Sequence, residues 1–63
     1  MPIIRIEMFE GRDREAKRAI IKEVTDGFTR ATGASADTVH VVIADVSQED
    51  WGRGGEAFAD KVK

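Results

Sequence analysis

Sixty-three residues and 6.9 kDa hold one small domain, spanning residues 1–63, and ten Lys and Arg against twelve Asp and Glu leave a formal charge of −2 with His40 neutral. That mild acidity supplies neither the basic stripe nor the basic tail that nucleic acid or an anionic membrane would need. With no cysteine and a single histidine, a disulfide framework, a thiolate nucleophile, the usual zinc sites and a Ser-His-Asp triad all lack their parts.

No apolar run is long enough to span a bilayer, and Met1-Pro2 leads straight into a charged, alternating segment rather than a secretory signal. The expected location is cytoplasmic. Chains below about 70–80 residues need disulfides, metal or oligomerisation to hold a core. The first two are nearly excluded here, while 41% hydrophobic residues are too many for a disordered tail. Self-association is the remaining remedy, in the closed symmetry that homo-oligomers favour.

Residues 3–9 alternate as a strand, with Ile4, Ile6 and Met8 on one face and Ile3, Arg5, Glu7 and Phe9 on the other. Glu10 to Asp13 breaks the pattern with Gly11, and Asp13 is a good N-cap. From Arg14 to Thr32 the period becomes helical, with Ala16, Ala19, Ile20, Val24, Phe28 and Ala31 forming an apolar stripe. Asp13 with Lys17 and Asp26 with Arg30 stand in the favourable acid-before-base order. Gly27 costs about 1 kcal/mol against Ala, which close packing on a neighbour would excuse. Gly33 ends the helix, and Ser35 to Asp37 makes a polar turn.

Val39 to Val46 is rich in β-branched residues and reads as a second strand, with His40, Val42, Ala44 and Val46 on one face. Two strands separated by a helix form a parallel βαβ unit, an α+β architecture. Such a two-stranded sheet hides neither its faces nor its edges, so further strands must come from another copy. Trp51 stands beside the glycine-rich Gly52 to Gly55. The stretch from Ala57 is too short for a stable free helix and suits a hairpin or arm packed on a neighbouring subunit.

Pro2 draws attention by its position. Removal of Met1 would leave a secondary amine, and an ordinary α-amino group titrates at about 7.7–8.0. Desolvation or a nearby cation lowers that value, so Pro2 could act as a general base near neutral pH. Alternatively Pro2 simply opens an edge strand. Arg12, at the strand-to-helix corner, has a guanidinium suited to gripping a carboxylate in two-point fashion, or it is a solvated surface residue. Trp51 walls a pocket or anchors an interface. His40 lines a site or caps the sheet. The glycine cluster around Arg53 matches neither dinucleotide nor Walker spacing, which removes nucleotide binding.

Pro2-Ile3, Phe9-Glu10-Gly11-Arg12, Val39-His40-Val41-Val42-Ile43 and Trp51-Gly52-Arg53-Gly54-Gly55, in this order over nearly the whole chain, resemble the 4-oxalocrotonate tautomerase family. The resemblance implies a βαβ protomer with a short C-terminal hairpin, a four-stranded sheet in the dimer, and a homohexamer built as a trimer of dimers. It implies enol–keto isomerisation of a small unsaturated dicarboxylate such as 2-hydroxymuconate, in aromatic catabolism, without cofactor or metal. Pro2 would move the proton as general base, and Arg12 from a neighbouring subunit would hold a carboxylate. Trp51 would take the place of the family's aromatic pocket residue. The best-studied members carry a second arginine where this chain has His40; His40 or Arg53 would then meet the substrate oxygen, with an altered substrate preference.

Other readings belong to other classes. On the same scaffold, hydration or dehalogenation of an unsaturated acid would use Pro2 as an acid. A non-catalytic oligomeric small-molecule-binding module would keep the fold without the chemistry. A ribbon-helix-helix DNA binder shares the length, but the second strand and the negative charge oppose it.

Overall fold

The computed structural model describes residues 1–61. Two seven-residue strands, β1 (Ile3–Phe9) and β2 (His40–Val46), lie parallel and are connected through the helix α1 (Arg14–Thr32). Ile3 stands opposite His40 and Phe9 opposite Val46. The Glu10 N–H donates to the Val46 carbonyl at 3.0 Å, carrying the ladder one bond past the end of β1. The second strand starts one residue later than its β-branched run suggests. Val39 instead closes a 3-10 turn over Ala36–Thr38, its N–H donating to the Ala36 carbonyl at 3.1 Å.

Alternation sorts the sheet into two faces. Ile4, Ile6 and Met8 of β1 and Val41 and Ile43 of β2 are half-buried. Asp45 shares their face and reaches Lys17 of the helix, which identifies this as the side α1 covers. Ala16, Ile20, Val24 and Phe28 form the half-buried row of α1, whereas Ala19 and Ala31, expected in the same stripe, are exposed. Two strands about 4.8 Å apart offer a strip too narrow to cover a wider helical face.

Both helix ends follow their expected chemistry. The Asp13 carboxylate accepts from the Ala16 N–H at 2.9 Å, and Gly33 takes φ +79° while its N–H donates to the Thr29 carbonyl at 2.8 Å. The ion pairs are drawn differently from the spacing. Asp13 is occupied as a cap, so Lys17 turns to Asp45. Asp26 pairs with Lys22, not Arg30. The hydrogen bond to Asp26 holds the Lys22 ammonium above its ordinary 10.5.

After a 3-10 turn at Gln48–Asp50, β3 (Gly52–Arg53) and β4 (Glu56–Ala57) form a two-residue antiparallel hairpin. Gly54 and Gly55 at its tip both have positive φ, +64° and +85°, the pairing that a type I′ turn requires. A single helical turn, α2 (Phe58–Lys61), follows where a hairpin or arm was expected. Residues 62 and 63, the end of that expected arm, lie outside the described residues.

The protomer does not close over its apolar surface. Among the described residues none is fully buried, and Ile3 and Val42 on the uncovered sheet face are 61% and 41% exposed. Its radius of gyration is 14.8 Å, against about 11 Å for a compact chain of this length. Its accessible area is 4828 Å², against about 4,000 Å² for a closed monomer of this mass.

Candidate active site

The sequence-derived site residues fall into two groups at opposite ends of the sheet. At the amino end, Pro2 is half-buried just ahead of β1, and its carbonyl accepts the His40 N–H at 2.9 Å. This bond extends the parallel ladder one step past Ile3, so the start of β1 is fixed by β2. The His40 side chain lies on the uncovered face with Ile3, its partner in register. Met1 is 79% exposed.

At the carboxyl end the hairpin folds back on its own strand, where packing on a neighbouring subunit was expected. Trp51 meets Phe9 edge-on with ring centroids 4.5 Å apart, and Phe58 lies 5.3 Å from Phe9. The Phe58 N–H donates to the Trp51 carbonyl at 2.8 Å, which continues the hairpin ladder and brings both rings to one side. The Arg53 guanidinium sits 5.2 Å above the Phe58 ring, and the Lys61 ammonium is 5.4 Å from the same ring. Arg12 stands exposed three residues beyond Phe9, after Gly11, whose φ of +126° gives the chain its sharp exit from β1.

Pro2 and Arg12 are therefore separated by the whole of β1, about 20 Å of extended chain. Within one protomer they cannot touch the same small molecule, and its described residues enclose no cavity. Trp51, Arg53 and Arg12 share one end, Pro2 and His40 the other. Among the described residues, no cluster of three or more His, Asp or Glu is placed to hold a metal ion. No described helix is long and apolar enough to cross a membrane.

Phe9 and Phe58 had not been singled out from the sequence as parts of this site. The signal was present in Gly54-Gly55. A two-residue turn there forces Arg53 opposite Glu56, and so sets Phe58 diagonal to Arg53 on one face.

The profile of the tautomerase enzyme family matches residues 2–61. The chain belongs to that family. It is 46% identical over 55 residues to 2-hydroxymuconate tautomerase of Comamonas testosteroni, covering 87% of each chain. It is also 46% identical over 56 residues to a probable tautomerase of Streptococcus pneumoniae serotype 4, covering 89% of this chain and 93% of that one. Among solved structures, a 4-oxalocrotonate tautomerase isozyme from Methylibium petroleiphilum superposes with a TM-score of 0.90 at 40% identity, over 98% of this chain and 100% of the other. A heterohexameric 4-oxalocrotonate tautomerase from Chloroflexus aurantiacus superposes with a TM-score of 0.88 at 28% identity, over 95% and 97% of the two chains.

Proposed function

We propose that this chain is a cofactor-independent enol–keto tautomerase of a small unsaturated 2-hydroxy/2-oxo acid such as 2-hydroxymuconate, acting as a homo-oligomer. The observation that carries the reading is the separation of the two groups of site residues. Each end of the protomer presents half of a site, open and unpartnered, so a working centre forms where the Pro2 end of one copy meets the Arg12–Trp51 end of another. A four-stranded dimer sheet joined edge to edge, and a hexamer of three such dimers that covers the Ile3–Val42 face, supply these junctions. The family relationship and the unclosed apolar surface support this assembly.

In this scheme removal of Met1 turns the Pro2 nitrogen into a free secondary amine. Unprotonated, it takes the enol O–H proton; the C=O bond forms and the electron pair moves through the conjugated carbons. The resulting ammonium returns the proton to carbon, forming the C–H bond of the ketone. Arg12 grips a carboxylate and draws the developing negative charge toward itself, and pre-placed cations in a dry cleft are the strongest source of such stabilisation. Trp51, buttressed by Phe9, excludes water from the junction.

The direct test is an intact-mass spectrum combined with a spectrophotometric assay on 2-hydroxymuconate. The reading requires a mass lacking Met1 and turnover in the same preparation. Uniform retention of Met1, which leaves the Pro2 nitrogen an amide, overturns it.

A further inference from the structure

We infer that Arg53 is a substrate-carboxylate ligand, and that with Arg12 it makes the site selective for dicarboxylates over monocarboxylates. This rests on the proposed tautomerase reading and extends it to the choice of substrate.

Three observations carry the assignment. First, the tight Gly54-Gly55 turn fixes the register and sets Arg53 directly opposite Glu56. A cross-strand ion pair would be the ordinary outcome, yet Glu56 lies 3.8 Å from the Lys61 ammonium instead. Second, the Arg53 guanidinium rests over the Phe58 ring at 5.2 Å. An arginine held by its flat face keeps its N–H donors free in the plane, the arrangement that receives a carboxylate with two parallel hydrogen bonds. Third, among the described residues neither Arg53 nor Arg12 is paired with a carboxylate, and both stand at the Phe9–Trp51 end of the sheet.

One end of the sheet thus carries two guanidiniums from one chain with no carboxylate partner among the described residues, Arg53 on the aromatic cluster and Arg12 at the exposed corner that follows β1. A linear dianion can engage both, one carboxylate at each. A monoanion can satisfy only one, leaving the other cation with nothing to balance it. His40 does not provide this second cation within the protomer, because its backbone is tied to Pro2 at the opposite end.

The test uses the mature, assembled protein and two measurements. The first is titration with cis,cis-muconate, a dicarboxylate without the reactive enol, and with sorbate, its monocarboxylate counterpart, followed by Trp51 fluorescence. The second is the ratio of kcat/KM on 2-hydroxymuconate to that on phenylenolpyruvate. Arg53→Gln should weaken muconate binding about 10- to 100-fold, the range for losing a charge-assisted hydrogen-bonded pair, and lower the kcat/KM ratio by a similar factor. Equal shifts for both ligand classes, or none for either, overturn the inference. Should Arg53→Gln fail to assemble, Arg53→Lys keeps the charge but lacks the planar fork; muconate selectivity must still fall, and unchanged selectivity overturns the assignment. Failure of the underlying reading has a different signature, since turnover would then be independent of Pro2 whatever the binding data show.

Discussion

The backbone N–H of His40 donates to the carbonyl of Pro2 at 2.9 Å. The bond uses neither the imidazole nor the pyrrolidine ring. Any residue at position 2 could accept this bond, which separates its place in the fold from any chemistry at its nitrogen.

That separation makes Pro2→Ala an unusually clean variant. Alanine retains the carbonyl that β2 holds, so the circular dichroism spectrum and the sedimentation coefficient should match the parent. It supplies a primary amine that is less constrained at the strand start. Loss of a positioned general base costs about 10²- to 10⁴-fold, and a fall in kcat/KM of that order on 2-hydroxymuconate is expected. Turnover within a few-fold of the parent would remove Pro2 from the mechanism.

The pH dependence has a definite sign. A general base works only when unprotonated, so kcat/KM should rise with pH through the Pro2 ammonium's titration and then level off. An acid acting in hydration or dehalogenation would give the opposite limb, activity falling as the same proton is lost. A pH–rate profile on the free enzyme distinguishes the two reactions on one scaffold.

Most of the fold could be read from the sequence because its signals are local. Alternation in residues 3–9, the Asp13 cap and the Gly33 stop each act within a few residues, and all three appear as expected. The ion pairs could not be read this way. Spacing set Lys17 beside Asp13, but the cap had already engaged that carboxylate and the strand partner Asp45 lay within reach. Ala19 and Ala31 failed for a related reason, since stripe width depends on how wide a sheet the helix meets. The candidate site residues could be named from the sequence, but their positions relative to one another could not. Pro2 and Arg12 look close in the chain, and the straight run of β1 between them holds them apart.

The helix offers a prediction that separates local from assembled structure. A methyl group at Gly27 would meet nothing nearer than the Arg30 guanidinium at 3.7 Å, an ordinary contact at the end of a flexible side chain. Nothing within the protomer therefore requires glycine there, so the close neighbour that would excuse it is not supplied by its own chain. Gly27→Ala should raise stability by about 1 kcal/mol per protomer through helix propensity alone. Thermal unfolding measures this. A loss of stability accompanied by a smaller assembly would locate Gly27 against another copy.

Removing the Asp13 cap should act in the opposite direction. Asp13→Ala leaves the Ala16 N–H without its acceptor and costs about 1 kcal/mol of helix stability. Because α1 begins just after Arg12, fraying of this turn also loosens the guanidinium's mount. The variant should consequently raise KM for a carboxylate substrate more than it lowers kcat, a split that chemical denaturation combined with steady-state kinetics resolves.

The uncovered sheet face carries the strongest demand on assembly. Ile3 and Val42, 61% and 41% exposed, lie on the side away from α1, with Val42 in register with Arg5. Fully burying such a side chain contributes about 1.5–3 kcal/mol, so a partner copy covering this face gains several kcal/mol that the isolated protomer lacks. Val42→Glu replaces that gain with a carboxylate whose burial is costly unless it is paired. Arg5, the nearest cation in register, is already bonded to Glu7 at 3.3 Å. Sedimentation velocity should show the variant shifted to smaller species, with activity lost in proportion if the proposed centre draws its halves from different copies. Retention of both the parent assembly and full turnover would move the interface off this face, and the composite centre with it.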